Sequence, residues 1–83
     1  MRLLYFAWVR QKIGKSEEYL SLPEDVSTLR DLAQHLSGLA PGYADAFRDL
    51  TRLRAAANRE HVGFDTQIGP DDEIAFFPPV TGG

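Results

Sequence analysis

The sequence predicts an α+β domain in which helices cover one face of a mixed β-sheet. Three stretches carry this prediction: the apolar run from Leu3 to Val9, an amphipathic helix that begins at Thr28, and the strand Glu73–Phe77. Two apolar strands separated by a helix need a sheet with a buried face, and the helix supplies the matching apolar stripe. With 83 residues, the chain has room for one core.

The first stretch is apolar without alternation and short, which favours a strand buried on both faces at the centre of the sheet. We therefore predict a strand over Leu3–Val9, a polar loop over residues 10–15 and a second strand over Ser16–Leu22, forming a hairpin. Trp8 closes the first strand in this interpretation. A tryptophan there is most often a core residue, although an outward-facing one would mark a partner surface.

The helix after this hairpin has clear boundary signals. Thr28 can cap its first turn, and Asp31 places a carboxylate near the positive end of the helix dipole. Gly38 and Pro41 end it. Its apolar face comprises Leu29, Leu32, Ala33, Leu36 and Leu39.

The second half predicts a short helix over Tyr43–Leu50, strands over Leu53–Ala57 and His61–Phe64, and the last strand Glu73–Phe77. A tight turn is expected at residues 58–59 and another at residues 69–72. If the last strand lies beside the first, the two run parallel, which gives the β-grasp fold. A ferredoxin-like split βαβ arrangement competes, but two strands precede the first helix here.

Composition excludes several classes of function. The net charge is −3 and the nine Lys and Arg residues are scattered, which disfavours a nucleic-acid binder. There is no cysteine, so thiolate sites are excluded and a reducing compartment is favoured. No signal peptide or membrane-length apolar segment is recognisable. We expect a cytoplasmic protein without a membrane partner.

No set of residues predicts an independent active site. His35 and His61, the two histidines, lack a Ser, Cys or second His at useful spacing for a triad or a zinc site. The acidic run at residues 71–73 does not match a calcium loop and is interpreted as a solvated turn, so no metal site is predicted. Glycine-rich phosphate-binding motifs are also missing from the sequence.

The segment after the last strand differs from an ordinary polar terminus. Pro78 and Pro79 remove two backbone donors and favour an extended lead-out. Gly82 and Gly83 lack Cβ atoms, so their backbone can enter a narrow channel and approach reactive atoms. We predict a folded domain over residues 1–77 and a free tail over residues 78–83.

The run Phe76-Phe77-Pro78-Pro79-Val80-Thr81-Gly82-Gly83 resembles the carboxyl terminus of molybdopterin synthase small subunits, which are ubiquitin-like sulfur carriers. The resemblance extends along the chain through residues 5–10 with Gly14, residues 32–36, residues 53–58 and residues 71–77. A terminal Gly-Gly alone is shared by all ubiquitin-like carriers, whereas the complete run is much more specific.

The resemblance implies that a ubiquitin-activating-type adenylyltransferase adenylates Gly83, using ATP and Mg²⁺ that this chain does not itself bind. A sulfur donor then converts Gly83 to a thiocarboxylate. The large subunit of molybdopterin synthase receives the tail, and the sulfur passes to cyclic pyranopterin monophosphate to build the molybdopterin dithiolene. In this family the synthase is a heterotetramer, and the carrier is a subunit without an independent active site.

The same resemblance assigns roles to residues around Gly83. Gly82, Thr81, Val80, Pro79 and Pro78 would thread into the partner channels, while Phe76, Phe77 and Arg10 would contribute to docking. Strand alternation requires one of the two phenylalanines to face the core. Arg10 is equally consistent with a solvated hairpin residue, and Trp8 departs from the polar residues that other members can carry.

Three other functions stay open at this point. A thiamine-pathway sulfur carrier shares the fold and the Gly-Gly end but usually lacks the Phe-Phe-Pro-Pro run. A ubiquitin-like protein modifier would use the activated Gly83 to form isopeptide bonds with lysines. A non-covalent docking module would function without Gly83.

Overall fold

The computed structural model describes residues 1–79, and its secondary structure comprises five strands, three α-helices and one 3₁₀ turn. In chain order these are β1 (Arg2–Tyr5), α1 (Ala7–Ile13), β2 (Glu17–Tyr19), α2 (Leu29–Ser37), α3 (Pro41–Ala46), the 3₁₀ turn Leu50–Arg52, β3 (Arg54–Ala57), β4 (Glu60–Val62) and β5 (Glu73–Phe77). Within residues 1–79, no helix has the length and apolar character needed to cross a membrane.

The strands form one mixed sheet in the order β2-β1-β5-β3-β4. The central pair, β1 and β5, is parallel, with Leu3 opposite Ile74 and Tyr5 opposite Phe76. All other neighbours are antiparallel. The first and last strands therefore lie side by side and run parallel, which confirms the predicted β-grasp fold.

Side-chain alternation places every second residue of the central strands in the core. Leu3, Tyr5, Ile74 and Phe76 are all at most 1% exposed, and they point towards the helices. From the other side, α2 contributes four buried residues: Leu29, Leu32, Ala33 and Leu36. The core is thus a layer between the inner sheet face and the helices, as the sequence predicts.

The predicted cap of α2 is present in full. The Thr28 hydroxyl accepts a hydrogen bond from the Asp31 backbone N–H, and the Asp31 carboxylate accepts one from the Thr28 backbone N–H, each at 3.2 Å. The backbone N–H groups of Ser27 and Thr28 both donate to the Asp31 carboxylate, and these bonds hold the pKa of Asp31 below its usual value. Gly38 caps the carboxyl end. The reciprocal bonds satisfy donors that a helix start leaves unpaired.

The prediction of one strand over Leu3–Val9 is wrong in its second half. The strand ends at Tyr5, and Ala7 adopts a left-handed φ of 54°, which turns the chain into α1. Val9 is buried from this helix, and Gly14 ends it with a φ of 87°. The apolar run is therefore shared between a central strand and a helix that returns over the end of the sheet.

This extra helix also changes the predicted hairpin. β1 and β2 do pair antiparallel, but α1 replaces the simple polar loop predicted over residues 10–15. Trp8 consequently lies on a helix and not in a strand. The predicted strand Ser16–Leu22 shortens to three paired residues, β2.

Smaller differences affect the second half. The predicted helix Tyr43–Leu50 begins earlier, with Pro41 in the first turn of α3, and its last part becomes the separate 3₁₀ turn. The strand predicted over Leu53–Ala57 begins one residue later, and that predicted over His61–Phe64 is displaced to β4. The last strand has the predicted bounds, Glu73–Phe77.

The tight turn between β3 and β4 occurs at the predicted dipeptide. Asn58 and Arg59 have positive φ values of 52° and 72°, as a two-residue hairpin turn of the primed class requires. The Asn58 side chain also donates to Asp72 and accepts from the Glu73 backbone N–H, each at 3.0 Å. The hairpin is thereby tied to the start of β5.

Candidate functional site

The sheet face that points away from the helices is apolar at its centre. Leu4 lies opposite Ala75 on β5, and Ala75 in turn lies opposite Ala56 on β3. On the other side of Ala56, the edge strand β4 contributes His61. Within residues 1–79 no helix covers this side, and we call the surface formed by Leu4, Ala56, His61, Ala75 and Phe77 the outer face.

Phe77 stands at the end of the outer face from which Pro78 and Pro79 continue. It is half-buried, and its ring centroid lies 5.2 Å from that of His61, with the planes tilted by 59°. The imidazole therefore extends the aromatic surface towards the edge of the sheet. Pro78 and Pro79 are also half-buried and contain no regular secondary structure, consistent with strand pairing that stops at Phe77.

Phe6 provides a second aromatic side chain near this end of the sheet, and it is 48% exposed. Its backbone is fixed: the N–H donates to the Phe76 carbonyl oxygen at 3.1 Å, and its own carbonyl accepts from Val9 N–H at 3.2 Å. Sequence reasoning did not select Phe6 as a site residue. The available signal was alternation, since Leu3 and Tyr5 face inward and the chain bends directly after Phe6.

Phe76 belongs to the core and not to the docking surface predicted for it. It is fully buried, with its ring stacked 6.3 Å from Tyr5 and edge-on to Phe47 at 4.9 Å. Of the two phenylalanines, Phe76 therefore faces the core and Phe77 points outward. A partner can contact Phe77 without disturbing the core.

Arg10 is exposed, but it lies in α1 and not in a hairpin loop. Its backbone carbonyl accepts the hydrogen bond from Gly14 N–H at 2.7 Å that caps the helix. The side chain borders a shallow surface depression with Lys15 and Ser16. Its assignment to docking stays a prediction.

The remaining predicted site residues, Val80, Thr81, Gly82 and Gly83, lie outside the described residues. Parallel pairing places the carboxyl ends of β1 and β5 together, so Pro78 and Pro79 leave the sheet next to Phe6 and Phe77.

Charged groups lie at the opposite end of the central strands. Arg2, at the start of β1, forms ion pairs with Glu17 on β2 at 2.9 Å and with Glu73 on β5 at 3.0 Å. At the other end, Arg54 on β3 lies opposite Phe77, and its guanidinium donates to the Thr51 and Leu53 carbonyl oxygens. The apolar centre of the outer face is therefore bordered by charged residues at both ends, as a polar rim borders the apolar core of an interface.

A partly buried cluster of hydrogen bonds, which we call the clasp, supports β1 from the inner side. The Glu18 carboxylate accepts hydrogen bonds from the hydroxyls of Tyr5 at 2.8 Å and Tyr43 at 2.6 Å, and from the Lys15 ammonium at 3.2 Å. Burial raises the pKa of Glu18, but these hydrogen bonds outweigh it and leave the pKa below its ordinary value. Burial and the same carboxylate raise the pKa of Tyr5. The clasp fixes β2 against β1 and α3.

The comparisons with known proteins all indicate the same family. The ThiS family matches residues 3–83 of the chain. The molybdopterin synthase sulfur carrier subunit of Escherichia coli is 39% identical over 83 residues, covering 100% of this chain and 99% of that protein. The subunit of the same name from Dictyostelium discoideum is 36% identical, covering 99% and 94%.

The fold comparison agrees. The crystal structure of SAMP1 from Haloferax volcanii superposes with a TM-score of 0.76 at 25% identity, covering 100% of this chain and 98% of that one. The chain therefore belongs to the ThiS family and, within it, groups with the molybdopterin synthase sulfur carrier subunits.

Proposed function

We propose that the chain carries sulfur as a thiocarboxylate on Gly83 and delivers it to molybdopterin synthase for the formation of the molybdopterin dithiolene. The main support for this proposal is similarity over the whole chain to proteins named molybdopterin synthase sulfur carrier subunit. The apolar outer face beside the root of the tail supports the proposal, because a carrier must dock and present its tail together.

The chemistry needs an external activating enzyme, since a carboxylate is a poor electrophile. The Gly83 carboxylate attacks the α-phosphate of ATP, pyrophosphate leaves, and an acyl adenylate forms on the partner, which also holds Mg²⁺. A sulfur donor then supplies sulfur at the sulfide level, whose attack on the acyl carbon displaces AMP and leaves the thiocarboxylate. We place these steps in the cytoplasm.

Transfer occurs in the large subunit, which the tail enters. The thiocarboxylate sulfur bonds to cyclic pyranopterin monophosphate in place of a substrate oxygen, and water then cleaves the bond between this sulfur and the Gly83 carbonyl carbon. The carrier leaves with an ordinary carboxylate. Two transfers supply the two dithiolene sulfurs, in a heterotetramer with two large subunits and two carriers. Gly82 and Gly83 suit this route because the same backbone must fit both partner channels.

Docking uses the outer face together with Phe6. Phe6 and Phe77 flank the exit of the tail, and aromatic side chains are enriched at the energetic centres of interfaces. Pro78 and Pro79 restrict the freedom of the tail, which lowers the entropic cost of ordering it in a partner. Hydrogen bonds already fix the backbone of Phe6, so little entropy is lost when this residue docks.

Two sets of variants test docking and chemistry separately. Deleting Gly83, or adding one residue after it, should abolish molybdopterin synthesis in a reconstituted system while large-subunit binding and the fold persist. Retained synthesis in either variant would contradict the mechanism.

Phe6→Ser should weaken large-subunit binding by about 2 kcal/mol, as expected for a hot-spot aromatic. The fold should persist, because serine is a better N-cap than phenylalanine at this start of α1. Leu39→Ser is the matched control, since Leu39 is 47% exposed and follows α2 on the helical side. Equal binding by both variants would contradict the proposed docking surface.

A further inference from the structure

A second concave surface lies on the helical side of the molecule, between α1 and the segment from α3 to the 3₁₀ turn. This open cleft has a volume of about 470 Å³. We call it the Trp8 cleft, and its principal lining residues are Trp8, Lys12, Asp45, Arg48, Asp49 and Arg52. None of them belongs to the outer face or to the tail.

The two walls of the cleft are held at a fixed separation. A Cβ atom at Gly42 would lie 2.3 Å from the Lys12 carbonyl oxygen, so α3 crosses α1 in direct backbone contact. The Lys12 ammonium also reaches across to Asp45 at 2.5 Å. Trp8 packs against the core cluster from α1. The cleft is thus formed before any partner arrives, which reduces the cost of binding.

The charges around the cleft favour an anionic partner. Three cations face two carboxylates, although the whole chain has a net charge of −3. Both carboxylates are already engaged: Asp45 pairs with Lys12 and Arg48, and Asp49 accepts from the Thr51 backbone N–H at 3.0 Å. The same pairings engage Lys12 and Arg48. Among the described residues, Arg52 forms no ion pair, although its charge helps to lower the pKa of Asp49, and it is the cation available to an incoming carboxylate.

The exposure of these groups favours a protein segment over a small molecule. Small-molecule sites combine enclosure with a few buried, convergent polar groups. Here the side chains of Lys12 and Asp45 are 39% and 38% exposed, and that of Arg48 is 76% exposed. A half-buried tryptophan beside exposed arginines is instead the composition of a protein interface.

We propose that the Trp8 cleft binds a short acidic segment of a partner protein, with an apolar side chain against Trp8 and a carboxylate on Arg52. Because the cleft shares no residue with the outer face, this partner can remain bound while the outer face and the tail are engaged elsewhere. The inference does not depend on the sulfur chemistry of Gly83.

Trp8 is the only tryptophan in the chain, so its fluorescence reports on the cleft directly. The full chain is titrated with a capped peptide of alternating glutamate and leucine, and with the same peptide carrying lysine for glutamate. The acidic peptide should give a saturable change in Trp8 emission that weakens at high salt, and the basic peptide should not. Backbone amide shifts should change along α1 and residues 45–52.

Arg52→Glu should weaken binding of the acidic peptide about ten-fold, which corresponds to about 1.4 kcal/mol. Arg59→Glu makes the same change in net charge from the exposed β3–β4 turn and should leave binding unchanged. The proposal is overturned by the absence of saturable binding up to millimolar peptide, by equal binding of the basic peptide, by equal effects of the two variants, or by shifts confined to the outer face.

Discussion

Substitution of Gly42 by alanine has two opposite effects on stability, a gain in helix propensity and a steric clash, and the structure predicts that the clash is larger. Gly42 is the second residue of α3, where alanine has the higher helix propensity by up to about 1 kcal/mol. The added Cβ would, however, lie 2.3 Å from the Lys12 carbonyl oxygen and 3.3 Å from its carbonyl carbon. The first distance is far below a normal contact between carbon and oxygen.

The magnitude follows from the displacement that is needed. Carbon–oxygen contacts of this kind lie at about 3.3–3.6 Å, so α3 must move away from α1 by about 1 Å. Forcing an extra methyl group into a packed interface costs about 1–3 kcal/mol. After the gain in helix propensity, we expect Gly42→Ala to lower the free energy of unfolding by about 1–2 kcal/mol.

Urea unfolding followed by Trp8 fluorescence measures this change, and the melting temperature should fall by about 5–15 °C. Gly38→Ala is the control, because its Cβ would meet only the His35 carbonyl oxygen at 3.5 Å, an ordinary contact. That variant should be unchanged or up to about 1 kcal/mol more stable. A Gly42→Ala protein as stable as the parent would refute the close crossing of α1 and α3.

Further predictions concern the clasp, the helix cap and the hairpin turn. Glu18→Ala should cost about 1–3 kcal/mol in urea unfolding, because the buried Tyr5 hydroxyl loses its acceptor; a Tyr5→Phe background should recover part of the loss, and no recovery would contradict the role of that hydroxyl. Since the pKa of Glu18 is lowered in the folded state, the unfolded state binds the proton more readily, so its contribution is present above about pH 4.5 and is lost as the pH falls. Melting temperatures across this range should show a shallower acid decline for Glu18→Gln than for the parent, and parallel curves would count against the assignment. Thr28→Ala should lower stability by about 0.5–2 kcal/mol in thermal unfolding, whereas Thr28→Ser should not; equal losses would exclude the capping role. Arg59→Gly should raise the melting temperature, because glycine avoids the cost of about 1 kcal/mol that a side chain adds to a left-handed conformation; a decrease would contradict the turn geometry.

The elements that could be predicted from the sequence are those specified by local signals. The Thr28 cap, the apolar stripe and Gly38 define α2 within the helix itself, and the turn at residues 69–72 fixes where β5 begins. The parallel pairing of β1 with β5 followed from two apolar strands that both needed central positions.

The helix α1 could not be predicted because its local signals point to a strand. Phe6 supplies no side-chain cap, and Trp8 and Val9 favour strands by propensity. Only its end carried a helix signal: basic residues in the last turn followed by Gly14. Burial of Val9 against the core, which is a tertiary effect, decides the outcome.

Only part of the proposed docking surface could be predicted from the sequence, for a related reason. Alternation requires Phe76 and Phe77 to face opposite sides, but a shift of one residue in register exchanges them. The pairing of Tyr5 with Phe76 fixes that register and turns Phe77 outward. Phe6 joins the surface because the chain leaves the sheet at Ala7, a bend that depends on the same unpredicted helix.

Intact-mass spectrometry can detect a thiocarboxylate on Gly83 directly. The chain is incubated with an activating enzyme of the family, ATP, Mg²⁺ and a sulfur donor, and its mass is compared before and after. We expect a gain equal to the exchange of one oxygen for one sulfur, localised to Gly83 and missing from a chain that lacks this residue. An unchanged mass under conditions that charge the Escherichia coli carrier, or higher-mass conjugates through lysine in its place, would contradict it.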